Sequence, residues 1–144
     1  MRTNFSADQM KTPLIQLANN ILRRCVHCGF CNSTCPTYVL KGDELDGPRG
    51  RISMIKGMFE RGGPASDKLT LHIDRCLSCL SCTSTCPSSV DYMHLVDKAR
   101  VRIEETHVRP LFERILRSLV ANVLPNPKIF RRFAPPNALL EPLP

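Results

Sequence analysis

The apolar positions of this chain recur at helical spacing in a series of short stretches. Leu14, Leu17, Ala18, Ile21 and Leu22 follow the i, i+3, i+4, i+7, i+8 rule of one buried helix face. Thr12 is a candidate cap and Pro13 a suitable first residue, while Arg23 and Arg24 fall in the last turn, where the helix dipole favours cations. This helix delivers the chain directly to Cys25. A brief extended piece is expected over Thr37–Leu40. Asp46 or Gly47 ahead of Pro48 signals the next helix. That helix has Ile52, Ile55 and Phe59 on one face, Met54 and Met58 beside them, and Gly62-Gly63-Pro64 as its stop. A third helix runs from about Ser66 to Asp74 with Leu69 and Ile73 on the side of Cys76. Ser88 or Ser89 is a candidate cap for a longer one ending near Thr106, with Tyr92, Leu95, Val96, Ala99 and Ile103 inward. A last amphipathic stripe, Leu111, Phe112, Ile115, Leu116, Leu119 and Val123, reads as core rather than membrane contact, or, in a truncated chain, as an exposed and sticky face. The expected fold class is mainly α, with little or no sheet.

The cysteines change the picture most. All eight fall in two copies of one pattern, C-x2-C-x2-C-x3-C-P: Cys25, Cys28, Cys31, Cys35, Pro36 and then Cys76, Cys79, Cys82, Cys86, Pro87. That spacing is the one bacterial-type ferredoxins use for [4Fe–4S] ligation. Three cysteines at successive x2 spacings let a short loop wrap three corners of an iron–sulfur cube. The fourth lies where the chain is already leaving, and the following proline redirects it. The expected ligand sets are therefore Cys25, Cys28, Cys31 and Cys86 for one cluster, and Cys76, Cys79, Cys82 and Cys35 for the other. The two clusters would staple together segments separated by the 40 residues from Pro36 to Arg75. Zinc prefers two separated C-x2-C pairs around one tetrahedral ion, and neither quartet divides that way.

Composition narrows the class. The chain has 144 residues, the length of one ordinary domain, and 42% of them are hydrophobic, enough for a core. With six Phe, two Tyr and no Trp, that core must rest on Leu, Ile, Val and Met. No apolar run reaches the roughly 18–20 residues of a membrane span, and the N-terminus reads as no signal peptide. The expected location is cytoplasmic, where disulfides are disfavoured and clustered thiols point to metal. The formal charge of +7 counts cysteines as neutral. Two clusters at about −2 each bring it to about +3, which removes most of the support for nucleic-acid binding. Residues 98–132 still hold nine Lys and Arg against three Glu. An ordinary solvated face explains them; an acidic partner or the anionic inner face of the cell membrane, met peripherally, is the sharper reading. Residues 125–144 contain six prolines and cannot form a long regular element. The expected organisation is a two-cluster domain over 1–124 and a Pro-rich linker over 125–144. The apolar end, Ala138 to Pro144, looks like a linker that once led into a C-terminal domain.

Several residues near the cysteines invite a tuning role. Backbone N–H groups of Val26 to Phe30 and of Leu77 to Ser81 are candidate donors to sulfur, and Ser78, Ser81, Thr83 and Ser84 are candidate hydroxyl donors against plain loop polarity. His27 can act on the first cluster through its charge or be an ordinary exposed histidine. His72, His94 and His107 lack ligand spacing and are expected at the surface. Arg49 and Arg51 read as anchors on Asp43, Glu44 or Asp46, or on cluster charge; the alternative is a docking contact. No thiol is left over for nucleophilic catalysis, and neither G-x-G-x-x-G nor a P-loop occurs. No catalysis is expected from this chain alone.

The strings Leu22-Arg23-Arg24-Cys25-Val26-His27-Cys28-Gly29-Phe30-Cys31, Gly42 to Arg51, Asp74-Arg75-Cys76-Leu77 and Arg109 to Arg117 carry a family resemblance. They resemble α-helical ferredoxin modules, found in iron–sulfur subunits of succinate dehydrogenase, heterodisulfide reductase, anaerobic glycerol-3-phosphate dehydrogenase and glycolate oxidase. The chain is most similar to the glycolate oxidase iron–sulfur subunit family, over essentially its whole length. The resemblance implies an electron-transfer subunit that takes electrons from an FAD-containing partner oxidising glycolate or another 2-hydroxy acid, such as D-lactate, and passes them towards the respiratory chain. Family members continue into a half with paired-cysteine CCG motifs, and no Cys-Cys pair occurs here. Two other classes stay open: a subunit serving a different donor, and a redox-silent structural iron–sulfur module.

Overall fold

The structure, a computed structural model, describes residues 1–133. Among them the regular structure is helical, with no strand. The chain divides into two compact units, Met1–His107 and a second beginning at Val108. Among the described residues no helix is long and apolar enough to cross a membrane.

The first unit is held by α1 (Pro13–Arg24), α4 (Pro48–Arg61), α5 (Asp67–Asp74) and α7 (Tyr92–Thr106). Between them lie three shorter helices, α2 (Phe30–Ser33), α3 (Pro36–Lys41) and α6 (Ser81–Ser84). α4 and α7 pack against each other and against both α1 and α5. Leu22, Ile55, Ile73, Leu95, Val96, Ala99 and Ile103 from these four helices have no accessible surface. Full burial of each Leu, Ile or Val contributes roughly 1.5–3 kcal/mol. The inward faces of α4, α5 and α7 are those the periodicity predicts, because a 3.6-residue period is a local property that packing only has to accept. On α1 the buried face is turned, with Ile15 and Asn19 enclosed beside Ala18, Ile21 and Leu22 while Leu17 is exposed and Leu14 only partly buried.

Caps and short pieces show where local reading fell short. Thr37–Leu40 is not extended but lies within α3. Pro36 starts that turn with a preset φ, and Gly42, at φ 67°, closes it by donating its N–H to the Tyr38 carbonyl at 2.8 Å. α7 is capped by Asp91, whose carboxylate accepts the His94 N–H at 3.3 Å, and not by Ser88 or Ser89. Ser89 sits at φ 48°, whereas a capping residue needs an extended backbone. Thr12 occupies the cap position of α1, yet its side chain makes no capping bond.

The second unit contains α8 (Leu111–Val123) and α9 (Pro127–Phe133). α8 has the expected amphipathic register, but its stripe is not core: Leu111, Phe112, Ile115, Leu116 and Leu119 are each more than half exposed. Within the described part of this unit only the seven-residue α9 is available to pack on it. Of the Pro-rich stretch, 125–133 holds only α9; the apolar end from Ala138 lies outside the described residues.

Candidate metal centre

The two cysteine loops share one backbone design. Cys25 ends α1, donating its N–H to the Leu22 carbonyl at 3.1 Å, and Cys76 ends α5 in the same way on Ile73. The second and fourth residues after each first cysteine then turn left-handed: His27 (φ 62°) and Gly29 (φ 87°) in one loop, Ser78 (φ 53°) and Leu80 (φ 58°) in the other. A non-glycine residue there costs roughly 1–2 kcal/mol. Strain of this kind gathers at functional sites, and alternating turns of this sort aim successive N–H groups into a concavity that suits an anion. Each loop leads into a one-turn helix, α2 or α6, that carries the third cysteine. The fourth is held by a second turn, Cys35 N–H to Asn32 carbonyl at 3.1 Å and Cys86 N–H to Thr83 carbonyl at 3.3 Å. Thr34 ties α2 to α6, donating to the Ser81 carbonyl at 3.4 Å and accepting from the Thr85 hydroxyl at 3.2 Å.

Two cavities result. One is lined by Cys25, Cys28, Cys31 and Cys86 together with Cys82. The other is lined by Cys35, Cys76, Cys79 and Cys82. The fourth cysteine of each motif thus faces the cavity of the other motif. Pro48, Cys82 and Tyr92 line both and form the partition. No three thiols lie within 4.8 Å of one another among the described residues. A single zinc ion, with bonds of about 2.3 Å, needs its sulfurs about 3.8 Å apart. A cube, with one ligand per corner, suits the wider groups.

The electrostatics point the same way. Burial, reinforced by the neighbouring thiols, pushes Cys31 up to about 11 and Cys82 up to about 12. As thiolates these sulfurs need a strongly cationic partner, which iron provides. Cys79 moves the other way, because the Ser81 N–H and hydroxyl stabilise its thiolate. Of the four candidate hydroxyls only Ser81 reaches sulfur, at 3.6 Å from Cys79 Sγ. Thr83 donates to the Leu80 carbonyl, Ser84 to the Ser81 carbonyl, and Ser78 accepts from Arg100 at 2.6 Å. Tyr92, whose spacing marks it only as core, places its hydroxyl 3.7 Å from Cys76 Sγ. Burial, followed by the charge of Cys76, drives its phenol well above the usual range and keeps it a donor.

Behind the second cavity lies a buried polar node. Asp46 has no accessible surface and faces Arg51 at 3.6 Å, His72 Nδ1 at 2.9 Å and Arg75 at 3.0 Å. Burial alone would raise its carboxyl; the bond with His72 and the charges of His72 and Arg75 outweigh that and leave it lowered. Arg51, 1% exposed, donates to the His72 carbonyl at 2.8 Å and to Thr37 Oγ1 at 3.0 Å, with Nη1 3.8 Å from Cys35 Sγ. Asp43 and His72 lie close enough to Asp46 to resemble an ion site, but the carboxylate already has three partners. His72 is therefore not at the surface, as its spacing had implied; the Asp46 carboxylate draws it inside. Arg49 pairs with Glu44 at 2.6 Å, and Asn32 bridges Glu44 to the Arg49 N–H. Both arginines are anchors. His27 and His94 are exposed, and His107 is half-buried beside Asp67.

Residues 24–90 match the family model described as a 4Fe-4S dicluster domain. With the all-helical architecture, this gives an α-helical ferredoxin-like module. The chain is 47% identical over 142 residues to the glycolate oxidase iron-sulfur subunit of Escherichia coli (strain K12), covering 99% of this chain and 35% of that protein. It is 36% identical over 97 residues to a probable glycolate oxidase iron-sulfur subunit of Bacillus subtilis (strain 168), covering 67% and 22%. The succinate dehydrogenase iron-sulfur subunit of Paracoccus denitrificans is 32% identical over 76 residues, covering 49% and 29%. The chain thus spans about a third or less of the length of these curated relatives. No solved structure matches.

Proposed function

We propose that this α-helical ferredoxin-like module, similar over nearly its whole length to glycolate oxidase iron–sulfur subunits, relays electrons from a flavin-containing partner that oxidises glycolate or a related 2-hydroxy acid. In this reading the module holds two [4Fe–4S] clusters, one on Cys25, Cys28, Cys31 and Cys86 and the other on Cys35, Cys76, Cys79 and Cys82. The observation that carries it is the pair of cysteine-lined cavities, each reached by the fourth cysteine of the other motif, that share a partition of Pro48, Cys82 and Tyr92. Two redox centres this close suit a relay, whereas bracing a fold needs only one.

When bound, such a cluster accepts and returns a single electron spread over several metal ions, so little rearrangement accompanies transfer. The chain's own residues do the rest. Ser81 and Tyr92 donate hydroxyls to Cys79 and Cys76, and the Val90 N–H donates to Cys86. Ile52 and Val90 form apolar wall around the first cavity. No residue here is asked to bind the hydroxy acid; that task and the flavin belong to the partner, met on the cytoplasmic side.

The test is an anaerobic co-purification of the chain with its native partners, its visible spectrum recorded before and after glycolate. Bound flavin and bleaching of the iron–sulfur absorbance are expected, with D-lactate as the comparison. Clusters that stay oxidised with both acids yet bleach with glycerol 3-phosphate would assign a different donor. Cys28→Ser is expected to abolish the signal of one cluster and leave the chain with about half its iron; full iron content in that variant would overturn the ligand set.

A further inference from the structure

The two thiol groups have unequal surroundings. Around Cys35, Cys76, Cys79 and Cys82, four polar side chains reach sulfur: Thr37 Oγ1 at 3.2 Å and Arg51 Nη1 at 3.8 Å from Cys35, Tyr92 Oη at 3.7 Å from Cys76 and Ser81 Oγ at 3.6 Å from Cys79. Around the other four, no side-chain donor does so among the described residues. Cys86 Sγ receives the Val90 backbone N–H at 3.5 Å, and the side-chain atom at Cys31 Sγ is an acceptor, the Asn32 amide oxygen at 4.0 Å.

Charge is unequal in the same sense. The node behind Cys35 sets two guanidiniums, Arg51 and Arg75, against the carboxylates of Asp46 and the exposed Asp43, and of these charged groups Arg51 is the one that reaches sulfur. Arg51 and Asp46 are fully enclosed, where water and salt screen little. Arg100 adds a second cation, bonded to the Cys76 carbonyl at 2.8 Å. Beside the other cavity stands Arg49, which Glu44 neutralises at 2.6 Å and which is about one-third exposed. Positive charge and donors to sulfur favour the reduced, more negative form of an iron–sulfur centre.

We propose that Arg51, supported by Tyr92 and Ser81, makes the cluster on Cys35, Cys76, Cys79 and Cys82 the more easily reduced of the pair. The proposal rests on the two-cluster reading above. Arg51 is a positioning residue in this role: its place is set by Asp46, Thr37 and the His72 carbonyl, and it acts through the Cys35 sulfur.

The experiment is an anaerobic potentiometric titration of the loaded full chain, followed by EPR, with iron counted on every sample. Wild type is expected to hold about eight irons and show two waves. Cys79→Ser should alter the upper wave only. Arg51→Met should shift the upper wave down by at least a tenfold change in the one-electron equilibrium, about 59 mV, and leave the lower wave in place. Tyr92→Phe, which keeps its shape, should lower the same wave by at least about threefold. If Arg51→Met fails to load iron, Tyr92→Phe and Ser81→Ala carry the test. Eight irons with an unmoved upper wave, or a shift confined to the lower wave, would overturn the assignment while leaving the relay intact. Four irons and a single wave would instead overturn the two-cluster reading itself.

Discussion

Asp46→Asn is the most informative single change for the fold, because it keeps the side chain's shape and removes only its charge. Asp46 has no accessible surface, and Arg51 beside it is 1% exposed. Without the carboxylate, the Arg51 guanidinium stays buried with the His72 carbonyl, Thr37 Oγ1 and the Cys35 sulfur as its partners and no carboxylate to balance its charge. Breaking a buried ion pair on one side costs about 3–5 kcal/mol. The lower end applies here, because Arg75 is about one-third exposed and can turn to water. At a urea slope of about 2 kcal/mol per M, a loss of about 3 kcal/mol should lower the midpoint by about 1.5 M. The assay is anaerobic urea melting of wild type, Asp46→Asn, Arg51→Met and the double variant, read by far-UV circular dichroism. If the node is a coupled unit, the double variant will lose less than the sum of the two single losses. A fall below about 0.5 kcal/mol for Asp46→Asn, or strict additivity, would refute the reasoning. The same residue sets a pH dependence. Its folded-state pKa is lowered, so its contribution is complete above the unfolded value of about 3.9 and fades as the pH drops through the folded one. The difference in stability between wild type and Asp46→Asn should therefore shrink on acidification below about pH 4 and stay flat above about pH 5.

Two further outcomes follow from backbone geometry. A Cβ at Gly50 would stand 2.1 Å from the Glu44 carbonyl oxygen, so Gly50→Ala must push the Glu44–Asp46 turn off α4. A loss of about 1–3 kcal/mol is expected in thermal or urea melts, and a variant as stable as wild type would show that the contact is not tight. Ser89 is exposed at φ 48°, and Ser89→Gly should stabilise by about 0.5–1 kcal/mol. Release of left-handed strain, roughly 1–2 kcal/mol, there exceeds the entropy that glycine loses on folding, roughly 0.5–1 kcal/mol. Destabilisation would argue that Ser89 is not held left-handed in solution.

What the sequence determined alone is everything whose physics spans only a few residues. Cysteine spacing limits how a loop can wrap a metal cluster, so the chemistry was readable from eight positions. The inward faces of α4, α5 and α7 were readable too, because residues three and four apart must share a helix face, whereas on α1 packing chose Ile15 and Asn19 over Leu14 and Leu17. The dicluster match and the glycolate oxidase likeness rest on the same local strings. What tertiary structure decided are the partnerships across distance. Asp46 meets His72 and Arg75 across 26 and 29 residues, and Tyr92 meets the Cys76 sulfur across 16. No periodicity links such residues, and His72 read as surface because its own neighbourhood offers no reason to bury it. Only the fold supplies the carboxylate that does. The amphipathic stripe of α8 marks the opposite limit. Its register was legible from spacing, but burial is a relation between two surfaces, and one helix carries only one of them.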